Sequence, residues 1–295
     1  MHTVSTSTRT AAFEALRPRL FGLAYRMLGS RAEAEDVVQD AYVRWHQADT
    51  SEVRNAEAWL VATTTRVTID RLRRLKTERE AYKGPWLPQP LLADAPPPPD
   101  RHVELADDLS MAFMVLLERL GPDERAAFLL HDAFDCGYAD IARILGKSEA
   151  ACRQLVSRAR DRVRSDHKRF DATDEAKTRL LERFTAATEA QDEQALLALF
   201  APDAVWTADG GGRTAASPYP IVGAERIAKL VTGLARTTPG WTMHLATING
   251  EPGIIFRSGG KLLASMAIAV EGDRIAAVWA VVNPDKLDDR INREW

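Results

Sequence analysis

Residues 121–164 read GPDERAAFLLHDAFDCGYADIARILGKSEAACRQLVSRARDRVR. Gly121-Pro122-Asp123 opens a helix carrying Phe128, Leu129 and Leu130. A short helix from Tyr138 to Leu145 stops at Gly146, and Ser148 caps a longer one running from Glu149 to about Arg164. Two helices joined by a short glycine-containing turn form the helix-turn-helix layout. In the second helix Cys152, Val156, Ala159 and Val163 recur at helical spacing and face a core, while Arg153, Ser157, Arg160 and Arg164 form a parallel flank that faces outward. The second helix of such a pair enters the DNA major groove. Arg153 and Gln154 stand where base edges are met, since arginine pairs with guanine, and glutamine with adenine, through two bonds. Arg158, Arg160 and Arg162 suit phosphates, which position a protein without reading sequence. A basic helix is also commonly just a solvated face, so this stretch alone leaves a plain helical hairpin open.

The chain around it is 295 residues long, room for two or three domains. Apolar residues at 45% and charged residues at 27% are ordinary for a soluble globular protein. No apolar run reaches the roughly 18 residues that a membrane span needs. Met1 to Thr10 is polar, with no apolar segment before a cleavage site. A cytoplasmic protein is expected. Cys136 and Cys152 cannot make a disulfide framework, and no Cys/His pair with zinc-ligand spacing stands nearby, so neither metal nor cofactor is expected. The net charge of -3 hides a pattern. Arg143 to Arg169 holds nine basic and three acidic residues, and Arg66 to Arg79 holds six basic and two acidic. Local patches of that kind speak to partners, whereas whole-chain charge speaks to solubility.

Proline marks the first boundary. Seven of the fifteen prolines lie in KGPWLPQPLLADAPPPPD, residues 83–100, an extended linker because proline lacks a donor N–H and biases its predecessor away from helix. A second boundary falls near Phe170–Asp174. Three units result: 10–82, 101–169 and 175–295. The first two read as all-helical. Ser30-Arg31-Ala32-Glu33 is a capping box. The helix behind it carries Ala34, Val38, Ala41 and Trp45 as an apolar stripe, with Glu33, Asp36 and Asp40 on another face. Asn55 caps the next helix, through Trp59, Leu60, Val67 and Leu75, whose polar flank bears Arg66, Asp70, Arg73, Arg74 and Thr77.

The third unit has a different grammar. Helices over Asp174–Asp192, Glu193–Phe200 and Ala224–Ala235 accompany β-rich runs at Ala204–Thr207, Trp241–Ile248, Gly253–Phe256, Leu262–Val270 and Ile275–Val282. Helices followed by strands suggest α+β, with a curved mixed or antiparallel sheet wrapped as a cone against helices. Such a cone has an apolar mouth suited to a small molecule.

Several stretches then resemble the extracytoplasmic-function sigma factors of bacterial RNA polymerase. LRPRLFGLAYRMLGSRAEAEDVVQDAYVRW (16–45) is similar to their polymerase-binding segment. NAEAWLVATTTRVTIDRLRRLKTERE (55–80) resembles their promoter −10 reader, and residues 121–164 resemble their −35 reader. Three signatures point to the subgroup with a SnoaL-like C-terminal extension. The linker has Tyr82-Lys83-Gly84-Pro85-Trp86-Leu87-Pro88-Gln89-Pro90, with Gln89 where that pattern usually has Glu. Asp209-Gly210-Gly211-Gly212 is followed by Arg213 where Lys is common, and Asn283-Pro284-Asp285-Lys286-Leu287 matches in full.

The resemblance implies roles. Asp36, Gln39 and Asp40 would meet basic helices of the largest polymerase subunit, their acidity steering them to that partner. Arg66, Arg71, Arg73 and Arg74 would hold the melted −10 strand. The third unit would modulate activity in cis through Trp86, Asp209, Gly210, Gly211, Gly212, Asn283, Pro284, Asp285 and Lys286. The protein would be no enzyme, would bind core polymerase and promoter DNA, and would be a monomer when free. SnoaL-like folds also host enzymes. Asp209 with His244, in a pocket lined by Trp206 and Trp241, is the candidate acid/base pair. Against it, Asp209 can simply cap the glycine turn. A ligand-responsive helix-turn-helix regulator is the other alternative.

Overall fold

The computed structural model describes residues 6–49, 53, 55–93, 109–167, 172–238 and 240–287, without the side chains of 6–8 and 164–167. Arg164's side chain, the last part of the linker, residues 101–108 and the tail from 288 therefore lie outside the described residues. Three long helices come first: α1 (Thr6–Leu28), α2 (Arg31–Gln47) and α3 (Ala56–Glu80). Ser30 accepts a bond from the Glu33 N–H at the start of α2, and Asn55 one from Ala58 at the start of α3. Ala34, Val38, Ala41 and Trp45 are all buried. Four further helices, α4 (Met111–Glu118), α5 (Pro122–Asp132), α6 (Tyr138–Leu145) and α7 (Glu149–His167), form the helix-turn-helix unit.

These two helical units share one hydrophobic core. Leu20, Leu23 and Met27 of α1 belong to the same buried cluster as Phe113, Leu117, Phe128 and Val156 of the second unit. Separate cores would leave each apolar face wet; mutual packing buries both.

The third unit starts with α8 (Asp174–Glu189) and α9 (Glu193–Leu199) and includes α10 (Ala224–Thr237). Among the described residues its sheet has seven strands: β1 (Leu92–Ala93), β2 (Phe200–Asp209), β3 (Ile221–Val222), β4 (Trp241–Ile248), β5 (Glu251–Ser258), β6 (Lys261–Glu271) and β7 (Arg274–Val281). They lie in the order β1-β4-β5-β6-β7-β2-β3. Among the described residues only the β2–β7 pairing is parallel, so the sheet is mixed. β2 begins four residues before the expected Ala204, and its register against β7 shifts between Phe200 and Val205, around Pro202, which has no N–H to donate.

β1 belongs to the proline-rich linker. Leu92 and Ala93 pair antiparallel with Ile248 and Thr247, so the linker supplies an edge strand to the third unit's sheet. One face of that sheet packs on α8, α9 and α10 through Leu181, Phe184, Ile227, Met266 and Val278. The other face gathers Ile255, Ala267, Ala269 and Trp279 with Leu87 and Leu92 of the linker and Met111 of α4. The third unit is thereby seated on the helical part of the molecule.

Candidate nucleic-acid interface and interdomain clamp

The turn between α6 and α7 is set by Gly146, at φ 65, a left-handed conformation that glycine adopts without a Cβ penalty. Ser148 Oγ accepts from the Ala151 N–H at 3.2 Å, fixing the start of α7. Cys152, Val156, Ala159 and Val163 are buried. Arg153, Gln154, Ser157 and Arg158 stand exposed on the opposite side. Arg153 donates to Glu149 at 3.0 Å, and its guanidinium lies 5.3 Å from the Tyr138 ring centroid. The outward flank needs one correction. Arg160 is half-buried and turned back onto α5, where Nε and Nη2 both bond Asp132, at 3.0 and 2.5 Å. That bond raises the Arg160 pKa. Arg162 bonds Glu124 at 2.8 Å, with Arg158 3.9 Å from the same carboxylate.

The arginines of α3 divide. Arg66 donates to the carbonyls of Ile144, at 3.3 Å, and Arg143, at 3.1 Å, at the C-terminal end of α6, where the helix dipole is negative. Arg73 reaches Asp123 of α5 at 3.0 Å, and Lys147 joins the same carboxylate at 2.8 Å. Burial alone would raise the Asp123 pKa, but the two cations hold it below the ordinary value. Arg71 grips Glu33 through two nitrogens. Arg74 is exposed and bonds the Asp70 carbonyl of its own helix. On α2, Asp36, Gln39 and Asp40 are exposed, with Val43 beside them at 41% exposure. Three arginines of α3 are thus engaged with the helix-turn-helix unit, Arg66, Arg73 and, through Glu118 at 2.7 Å, Arg79, while the acidic face of α2 is open.

Linker residues 82–93 lie as a strap between the first and third units. Asp209, fully buried at the end of β2, accepts from the Tyr82 hydroxyl at 2.6 Å, the Leu87 N–H at 2.8 Å and the Lys286 ammonium at 2.7 Å. Its carboxylate is therefore spent on the strap and on Lys286, whereas the sequence had left open that it merely caps the glycine turn. Lys286 also donates to the Leu87 carbonyl at 2.6 Å and sits 4.0 Å from the Trp86 ring centroid. Arg79 of α3 lies 3.6 Å from that same centroid. Asn283 donates to the Tyr82 hydroxyl at 2.9 Å and accepts from the Asp285 N–H, so it caps a short 3-10 turn, Pro284–Lys286, against the strap. Burial pulls the Lys286 pKa down to about 8 against the opposing pull of Asp209. Burial, with the bond to Asp209, pushes the Tyr82 pKa up.

Glycine is required where the backbones meet. Gly211, at φ 57, leaves no room for a side chain: a Cβ there would run into the Asn283 amide and lie 2.9 Å from the Tyr82 hydroxyl. Gly210 approaches the Thr214 carbonyl as closely, and Gly212 faces Lys83. Gly29, between α1 and α2 at φ 64, would put a Cβ 2.6 Å from the Trp86 ring.

The strap's second half is held differently. The Gln89 N–H donates to the Gly29 carbonyl at 2.8 Å, and Gln89 Oε1 accepts from the Arg31 N–H at 2.9 Å. The Tyr25 hydroxyl donates to the Gln89 carbonyl at 2.7 Å. Asn249 was not singled out from the sequence. It is buried in the β4–β5 turn at φ 56. Its side chain accepts from the Leu91 N–H at 2.9 Å and donates to the Tyr25 hydroxyl at 2.7 Å and the Leu109 carbonyl at 2.8 Å, while its own N–H bonds the Leu91 carbonyl. Asn249-Gly250 between two strand-like runs signals a hairpin turn, but nothing in a turn signal says what its side chain touches.

The acid/base pair does not form. His244 is exposed on β4 and bonded to Thr242, with β5, β6 and β7 lying between it and Asp209 on β2. Trp206 is in the core, Trp241 packs on Phe256, and the sheet face against the helices is filled by Phe184, Phe200, Ile254 and Met266. A groove lined by Leu197, Pro202, Val222, Arg226 and Arg274 includes neither Asp209 nor His244. Among the described residues no three His, Cys, Asp or Glu side chains are grouped to hold a metal, and no helix is long and apolar enough to cross a membrane.

Comparison with known proteins accounts for all three units. Residues 12–78 match the family model for sigma-70 region 2, residues 110–163 that for sigma-70 region 4, and residues 181–288 that for a SnoaL-like domain. The chain is 38% identical over 291 residues to the ECF RNA polymerase sigma factor SigJ of Mycobacterium tuberculosis, covering 93% of this chain and 92% of that protein. It is 29% identical over 282 residues to the probable ECF RNA polymerase sigma factor SigI of the same species, covering 95% and 94%. The crystal structure of M. tuberculosis SigJ superposes with a TM-score of 0.74 at 35% identity, over 94% of this chain and 97% of that one.

Proposed function

This chain belongs to the extracytoplasmic-function sigma factors, with a SnoaL-like domain behind sigma-70 regions 2 and 4, and we propose that the structure is its closed form, ready for polymerase and shut to promoter DNA. As an alternative sigma factor it directs transcription initiation by RNA polymerase. The bond making and breaking is the polymerase's, so neither region 2 nor region 4 needs a catalytic group, and the protein works in the cytoplasm beside the polymerase.

Each face has its own task. Asp36, Gln39 and Asp40 meet core polymerase, with Val43 adding apolar area to the same face of α2. Arg66, Arg71, Arg73 and Arg74 hold the melted −10 strand. Arg153, Gln154 and Ser157 read the −35 duplex, and Arg158 meets its phosphates. Arg160 instead pins α7 to α5 through Asp132. The observation that carries the closed-state reading is the pairing of Arg66 and Arg73 with α6 and α5. Arginine N–H groups turned onto region 4 are not presented to a DNA phosphate, so in this reading promoter binding requires regions 2 and 4 to part. The SnoaL-like domain holds them together by seating its sheet on α4 and its clamp on the strap, and thus acts on transcription in cis.

The test is promoter binding with and without core. Free full-length protein should bind a duplex promoter weakly, and addition of core polymerase should raise affinity at least a hundredfold. Equally tight binding by the free protein, falling steeply with salt, would point to an unaided DNA-binding regulator instead.

A further inference from the structure

We infer that Asn249 is a latch for region 4 alone, and that the SnoaL-like domain stays clamped to the strap and region 2 when the protein opens on a promoter. This rests on the closed-state reading above and says which part moves.

The contacts of the third domain fall into two unequal sets. Toward the strap and region 2 they are polar, buried and interlocked: Asp209 with Tyr82, Leu87 and Lys286, Lys286 with Trp86, the β1–β4 ladder, and Asn249 with Leu91 and Tyr25. Gln89 ties the same strap to Gly29 and Arg31 of region 2. Toward region 4 they include Met111, Ala112 and Val115 of α4 against the sheet, and the hydrogen bond from Asn249 to the Leu109 carbonyl. Apolar contact is non-directional and reforms elsewhere. A buried ionic cluster broken apart leaves charges without partners. The second set therefore yields first.

Asn249 bonds both ends of one segment, Leu91 and Leu109. The β1 strand, which stays on β4, ends at Ala93, 16 residues before Leu109, so the chain between them can extend about 53 Å at roughly 3.3 Å per residue. That length is freed once the bond to Leu109 is broken and the packing of region 4 on region 2 opens. Region 4 can then travel to its promoter element while Ala93 and the strap before it stay on the third domain.

The chemistry of the side chain separates the two roles. Aspartate at 249 keeps an acceptor for the Leu91 N–H but cannot donate to the Leu109 carbonyl, and the single hydroxyl proton of Tyr25 is then shared between it and the Gln89 carbonyl while the rest of the clamp to region 2 is untouched. Glycine keeps the left-handed backbone and removes every side-chain bond.

Energy transfer between dyes at exposed Glu14 (region 2), Ala139 (region 4) and Glu182 (third domain) reads the outcome. The dyes are attached through unnatural residues, so that Cys136 and Cys152 remain native. In a promoter complex with core polymerase, the Ala139–Glu182 signal should be lost and the Glu14–Glu182 signal kept. Loss of both overturns the inference while leaving the closed-state reading intact; loss of neither overturns both. In the free protein, Asn249→Asp should raise the fraction with low Ala139–Glu182 transfer at least fivefold at constant Glu14–Glu182 transfer, and Asn249→Gly should loosen both pairs. Asn249→Asp loosening both pairs, or neither, refutes the latch.

Discussion

Replacing Asp209 by asparagine tests the clamp at its centre. The carboxylate is fully buried and receives three short bonds, from Tyr82, Leu87 and Lys286. The amide that takes its place can still accept from one or two of these groups, but the counter-charge of Lys286, whose side chain is 13% exposed, is gone. Leaving one member of a buried ion pair alone costs about 3–5 kcal/mol. At about 1.4 kcal/mol per tenfold, the open fraction of the clamp rises by roughly two to three and a half powers of ten. Lys83 is exposed within the strap and offers trypsin the Lys83–Gly84 bond once the clamp opens. When reclosing outpaces cleavage, the cleavage rate follows the open population. Fragment mass spectrometry should therefore show at least a hundredfold faster cleavage at Lys83 in Asp209→Asn. Lys286→Met alone should also open the clamp. The double variant should open it less than the two single effects combined, by about 2 kcal/mol, because residues in one network do not act independently. Strict additivity of the two changes, or cleavage within threefold of wild type in Asp209→Asn, would refute the account of the clamp.

Other consequences concern pH and the recognition helix. Lys286 titrates at about 8 when clamped, through burial, with Asp209 and Glu118 opposing and Arg79 assisting the shift; released, it returns to about 10.4. The clamped state then holds fewer protons between those values, so the clamp is weakest below about pH 8 and tightens as pH rises toward 10. Cleavage at Lys83, normalised to a peptide control, should slow from pH 7.5 to 9.5, and a normalised increase would contradict this sign. On α7, Arg153→Ala should reduce discrimination of the −35 sequence by about 1–3 kcal/mol at one base position, with thermal stability unchanged. Arg160→Ala should instead lower the melting temperature by several degrees through loss of its two-pronged bond to Asp132. A stability loss in the first variant and none in the second would exchange the two roles.

Much of this was legible in the sequence because it depends on neighbours along the chain. Helical periodicity found the buried stripe Cys152, Val156, Ala159 and Val163, and capping chemistry found Ser30, Asn55 and Ser148, since each cap reaches a backbone N–H three residues away. The motif residues Trp86, Asp209, Asn283 and Lys286 were noticed as signatures, but their convergence on one another is a matter of tertiary folding. What pattern could not supply was partnership at long range. Arg160 sits on the outward flank by spacing, yet Asp132, 28 residues earlier, draws it inward. Leu92 and Ala93 are too few to announce a strand, and they become one because β4 offers an edge. The shared core of regions 2 and 4 was hidden for the same reason: an amphipathic helix declares an apolar face, not the surface that will cover it.

The most direct test of the central claim is co-purification with bacterial core RNA polymerase, wild type beside an Asp36→Arg/Asp40→Arg variant. Full-length wild-type protein should be retained on core and the variant lost, because the acidic face of α2 is open in the closed form. Failure of core to retain the wild-type protein, or equal retention of both, would contradict the account.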